Sequence, residues 1–344
     1  MAERTTAHEF ILLTSRPITF APPGPNWRVR RFRGPKGTNG LPWLQLYGPW
    51  LLRRERIDVF WGPHFLVPLL TSVPALVTVH DLVYRFFPQT MERYNYLAFR
   101  TQFAPSLQRA RHITTVSRTT ADDLQQTMGV APSKVTVVYP GVAKPFYPRD
   151  PEEAARRVAA AFGLRSRYLL AVSTLEPRKN LPTLLRAFAA LPEALRRTCP
   201  LVVAGYRGWK STETLAAAAA LERNGSVRLL GYVSDADLPW LYAGATALVF
   251  PSRYEGFGLP VVEAMACGIP AVISDIPVLR EVAGDAAVFV PPMDDRAWTD
   301  AILAMIEDAP RRAALREAGL RRAGRFSYAS SARQILGILE GLAR

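Results

Sequence analysis

Short apolar runs, each followed by a polar or glycine-bearing break, alternate along the chain with stretches whose apolar positions fall three and four apart. The first kind suits strands buried in a parallel sheet, and the second suits helices. On this pattern strands fall at 10–13, 59–61, 75–79, 112–116 and 135–138, with helices at 92–108 and 121–128 among them. Residues 139–151, rich in proline and glycine, read as a linker. A second series follows, with strands at 168–172, 201–204, 227–229, 247–250, 271–273 and 288–290, helices at 181–191 and 212–223, and an amphipathic helix at 330–342. Such alternation implies an α/β architecture of two Rossmann-like domains with parallel sheets. The length of 344 residues agrees with two domains. The expected division is 1–148, 149–329 and a closing helix at 330–344.

The segment RYEGFGLPVVEAMACGIP, 253–270, carries the sharpest chemistry. Glu255 ends an apolar strand, and Pro260 opens a helix that carries Glu263. Gly256 and Gly258 allow the backbone between them to approach a ligand, and the free N–H groups of a helix start suit a diphosphate. Carboxylates at Glu255 and Glu263 suit sugar hydroxyls, because each oxygen accepts more than one hydrogen bond. The run STLEPRKNL, 173–181, follows another strand and precedes a helix. Arg178 and Lys179 therefore belong at the C-terminal edge of a parallel sheet, where two adjacent cations can neutralise a leaving diphosphate. Glu176 is expected to orient Arg178. In TVHDL, 78–82, His80 closes a strand of the first half. Asp81 suits either an acceptor-side base or a cap of the next turn, and the sequence leaves both open. Ser117 suits an N-cap, and a capped helix is expected to start near Ser234.

These runs resemble the signatures of retaining glycosyltransferases of family 4. Glu255 to Glu263 is similar to the E-x7-E element, 176–180 to the EPRKN motif of bacterial mannosyltransferases, and 80–82 to an HDL segment. The resemblance implies the GT-B fold, with two domains facing across a cleft and a last helix crossing back to the first. It assigns the acceptor to the first domain and a nucleoside-diphosphate sugar to the second. By the same resemblance Glu255 contacts the donor sugar, Glu263 the ribose, Arg178 and Lys179 the diphosphate, and His80 the reacting centre. The backbone of Gly231, Tyr232 and Val233 reads the base, and Gly256, Phe257, Gly258 and Leu259 form the phosphate turn. The implied reaction moves a hexosyl group, with GDP-mannose the preferred donor, to a glycan or lipid-linked acceptor. No cofactor and no metal are expected. The competing reading keeps the fold and the nucleotide sugar but not the transfer, as a binding remnant or scaffold. Family members open with a strand, a glycine-rich loop and a helix. Here the run RGPKGTNG, 33–40, has no evident strand before it, so the first strand and loop are expected to be missing.

The remaining composition narrows the class only slightly. The formal charge of +14, carried mostly by arginine, suits an anionic membrane surface. No zinc spacing or nucleic-acid signature accompanies it, and nucleic acid is not an expected partner. Cys199 and Cys267 form no disulfide spacing, and no apolar run reaches the ~18 residues of a membrane span. A cytoplasmic protein, at most peripheral on the inner face of the membrane, is the expectation.

Overall fold

A computed structural model describes residues 7–22, 24–34, 40–165 and 167–344. The strands are β1 Phe10–Thr14, β2 Trp27–Arg31, β3 Phe60–Gly62, β4 Ala75–Val79, β5 His112–Thr115, β6 Val135–Val137, β7 Leu169–Val172, β8 Leu201–Ala204, β9 Val227–Gly231, β10 Ala247–Phe250, β11 Ala271–Ser274 and β12 Val288–Val290. β3 to β6 lie side by side in chain order, and β7 to β12 form a second sheet in the order β12-β11-β10-β7-β8-β9. Both sheets are parallel.

Alternation builds the second sheet into the middle of two cores. Leu170, Val202, Leu248 and Ile273 point into one apolar cluster. Their neighbours Leu169, Val203, Val249 and Val272 point into the other. Both faces are covered by helices, which is why these strands are continuous apolar runs. The strand order reverses between β7 and β10, and open α/β sheets leave a crevice at that switch point.

Residues 138–150 carry no helix or strand. The last helix, Tyr328–Ala343, packs Ile335, with Ile338, Leu339 and Leu342 beside it, against Leu76 of β4 and Val138. The loops after β4 and β10 touch: the Leu82 N–H donates to the Tyr254 hydroxyl at 3.0 Å.

Two local expectations are corrected. The run 33–40 does follow a strand, β2, which pairs in parallel with β1 and stacks Trp27 on Phe10 at 4.8 Å. Its sequence WRVRR interleaves charge with single apolar residues, so it lacks the apolar run that marks a buried strand. Residues 35–39 of that run lie outside the described residues. The helix expected near Ser234 starts at Leu238 instead. Ser234 makes a turn, its Oγ accepting from the Asp237 N–H at 3.1 Å and donating to the Asp237 carboxylate at 2.7 Å.

Candidate functional site

The loop after β7 is tied by Asn180 to the segments that follow β10 and β12. This residue sits at φ 57°, a conformation asparagine tolerates, and precedes helix Leu181–Ala189. Its buried Nδ2 donates to the carbonyls of Pro251 at 3.1 Å and Pro292 at 2.7 Å, just beyond β10 and β12. The short turn Pro177–Lys179 before it is thereby aimed at the loop after β10.

Arg178, Lys179 and Glu255 converge there. Lys179 Nζ donates to Glu255 Oε1 at 2.5 Å, and Ser252 Oγ donates to the same oxygen at 2.7 Å. Arg178 Nη1 donates to Glu255 Oε2 at 3.0 Å and to the Tyr254 carbonyl at 2.6 Å. Its Nη2 donates to Glu176 at 2.7 Å, so Glu176 does orient Arg178. The sequence missed Ser252 and the Tyr254 carbonyl, which nothing in local spacing marks as partners.

The donor and acceptor count shows what remains for a ligand. A carboxylate has about four acceptor sites. Three at Glu255 are taken, which leaves one direction for a hydroxyl. Lys179 has spent one of its three N–H donors in these contacts, and Arg178 retains its Nε–H and one Nη2–H. Burial pushes the Glu255 pKa up, but the Lys179 and Arg178 charges and the Lys179 and Ser252 hydrogen bonds outweigh it and bring it to about 2. Glu255 is thus a fixed anion, and the two cations are held in place before any substrate charge develops.

A cavity of about 340 Å³ opens beside this cluster. Arg178, Lys179, Ser173, Thr174, Gly205, Val233 and Asp235 line it together with the exposed Tyr206 and Tyr232, and Pro260 brings a helix start to it. Tyr206 and Tyr232 stack at 4.7 Å with rings 16° apart, both more than half exposed. Tyr206 was not legible in the sequence, because it follows β8 with no motif around it.

The rest of the 256–263 segment divides between backbone and core. Gly258 caps helix Leu259–Ala266 at φ 101°, which a side chain would resist. Phe257 is buried against Phe326 and Tyr139, so only its backbone is available to a ligand. Leu259 is exposed and Gly231 ends β9 at φ 68°. Glu263 accepts from the Tyr242 hydroxyl at 2.9 Å, and burial raises its pKa against that bond. From the first half, His80 Nε2 donates to the Pro63 carbonyl at 2.7 Å. Asp81 accepts from the Val83 N–H at 3.0 Å and so caps that turn. Ser117 caps helix Arg118–Met128 through the Thr120 N–H at 3.0 Å. Among the described residues no group of three or more His, Cys, Asp or Glu could hold a metal ion.

Two parallel sheets, joined loop to loop across the switch point of the second, make up the GT-B fold, and solved structures agree. The chain superimposes on WaaG, a glycosyltransferase involved in lipopolysaccharide biosynthesis, with a TM-score of 0.74 at 20% identity, covering 97% of this chain and 92% of that one. It superimposes on Anabaena Alr3699/HepE in complex with UDP and glucose with a TM-score of 0.73 at 20% identity, over 92% and 86% of the two chains. Residues 153–322 match the glycosyl transferases group 1 family and residues 4–144 match Glycosyltransferase Family 4. O-antigen chain mannosyltransferase B of Escherichia coli is 33% identical over 287 residues, 83% of this chain and 75% of that protein. O-antigen chain mannosyltransferase RfbU of Salmonella typhimurium is 32% identical over 76% of this chain and 70% of its own length. The chain belongs to this glycosyltransferase family.

Proposed function

We propose that the protein is a retaining transferase that moves a mannosyl group from GDP-mannose to a glycan or lipid-linked acceptor. The observation that carries the reading is the pair Arg178 and Lys179, preorganised by Glu255 on the wall of the 340 Å³ cavity. The diphosphate meets the N–H groups these cations retain and the helix start at Leu259–Pro260. The base stands near Tyr232 and Val233, the ribose at Glu263, and the sugar against Glu255 and the turn 256–259. His80 faces the reacting centre from the first half, residues 1–148, where the acceptor enters. Residues 149–329 hold the donor, and 330–344 return to the first half. Mannosyl is favoured over other sugars by the names of the two bacterial relatives.

An anionic membrane surface is part of this reading. The charge of +14 and exposed Leu46 and Trp50, with Arg54 over the Trp50 ring at 5.0 Å, support it. Among the described residues no helix is long and apolar enough to cross a membrane. Salt-reversible sedimentation with anionic vesicles tests it, and no binding at low salt removes it.

The donor is tested by thermal unfolding with GDP, UDP, ADP and dTDP. A ligand at 100 times its Kd stabilises by about 2.7 kcal/mol, roughly 2–4 °C here. A shift with GDP alone supports the donor, and a shift with UDP alone moves it. NMR of the product then reads the anomer: retained configuration is expected, and inversion removes the retaining mechanism.

A further inference from the structure

Tyr254 neighbours Glu255 in the chain, yet its ring packs on the apolar core of the other half. Phe86 and Phe87, from the segment after β4, lie against it with ring centroids at 5.3 and 5.7 Å. Its hydroxyl accepts from the Leu82 N–H at 3.0 Å and donates to Asp123 Oδ2 at 3.1 Å. A phenol can do both at once, so neither bond excludes the other. Leu82 is two residues beyond His80, and Asp123 lies in helix Arg118–Met128. The other end of the residue belongs to the donor half. The Tyr254 carbonyl accepts from Arg178 Nη1 at 2.6 Å.

We propose that Tyr254 is a positioning residue that couples the seating of the first half to the geometry of Arg178 and Glu255. The proposal rests on the transferase reading for its catalytic consequence and on contacts alone for the coupling. With the ring held by Phe86 and Phe87 and the hydroxyl by Leu82 and Asp123, the backbone at 254 has one position. That position fixes the carbonyl on which Arg178 leans and the direction of the carboxylate at 255. With the two halves apart, the ring loses its pocket, the carbonyl is free to move, and Arg178 loses one of its three anchors. The cation pair is then fully organised only when the acceptor half is in place. Such an arrangement limits loss of donor to water, because the groups that stabilise the leaving diphosphate assemble only in the closed form.

The test uses Tyr254→Phe, which keeps the ring and removes both hydroxyl bonds, and Asp123→Asn, which keeps the shape of the partner. Hydrogen exchange is read at 80–83 and 252–256 in the whole chain. Tyr254→Phe is expected to raise exchange in both segments together, and Asp123→Asn to raise it less. Unchanged exchange at 80–83 overturns the coupling, as does a rise confined to one segment. Steady-state transfer supplies the second readout: kcat should fall at least tenfold while the Kd for GDP stays within twofold. A fall in stability with kcat intact assigns Tyr254 a merely structural role and overturns the proposal. If the wild type transfers no sugar from any nucleotide donor, the transferase reading fails, and the exchange experiment still decides the coupling.

Discussion

Gly256 lies directly against the backbone of His80: a Cβ at position 256 would stand 1.7 Å from the His80 carbonyl oxygen. The contact joins the turn after Glu255 to the tip of β4, across the two halves. A further bond supports it, with Thr120 Oγ1 donating to the Gly256 carbonyl at 3.3 Å. Gly256 is therefore required by close approach rather than by its own backbone angles.

Gly256→Ala should hold the halves apart. The obstructing atom is backbone and cannot turn aside as a side chain would. A displacement of about 1 Å at a reacting centre can cost roughly 10²-fold in rate. Transfer should fall by that order while GDP affinity is nearly kept, because the cavity lies in the second half. Small-angle scattering should show a larger radius of gyration. A compact Gly256→Ala protein with normal turnover would mean that this contact plays no part in closure.

Arg178→Ala should lower kcat by roughly 10²-fold, the usual cost of removing a donor aimed at developing negative charge. It also leaves Glu176 and part of Glu255 buried without their cation, and breaking a buried pair costs about 3–5 kcal/mol. Stability by urea unfolding and single-turnover transfer separate the two effects. An unchanged rate in the folded variant removes Arg178 from the reaction.

Acid unfolding should depend on Glu255. Its folded pKa of about 2 lies below the usual 4.5, so its stabilisation is complete above pH 4.5 and is lost as pH falls through about 2. The difference corresponds to about 3 kcal/mol. Glu263 runs the other way. Its raised pKa gives a contribution that is present at low pH and lost as pH rises from 4.5 through the folded value. Urea unfolding of Glu255→Gln and Glu263→Gln between pH 7 and pH 2 checks both signs. The gap between Glu255→Gln and wild type should close towards pH 2, and Glu263→Gln should remove the decline above pH 4.5. A pH-independent gap for Glu255→Gln contradicts the first assignment.

Tyr232→Ala should weaken nucleotide binding about five- to tenfold, the scale of one aromatic contact in the cavity lining. Tyr206→Ala should act in the same direction, because each ring stacks on the other. Calorimetry with GDP reads both. Affinity unchanged in both variants would mean that only the backbone at 231–233 meets the base.

The strands of the second half could be read almost residue by residue, since β8, β10 and β12 are apolar runs closed by turn residues. The chain order of those runs also put Arg178 and Glu255 at strand ends. It did not reveal that they bond to each other, since 77 positions separate them. β2 escaped because arginines stand between its apolar residues, and a half-exposed strand does not need a run of them.

What the sequence determined by itself is what depends on near neighbours: the alternation of strand and helix, the turn chemistry at 256–260, and the types of charge at each strand end. Tertiary structure alone decided which charges meet, that Phe257 turns into the core while Tyr254 turns into the other half, and that Gly256 lies under His80. These facts come from contacts between segments far apart in the chain. Local periodicity carries no record of such contacts, because they form only when both sheets are built and brought edge to edge.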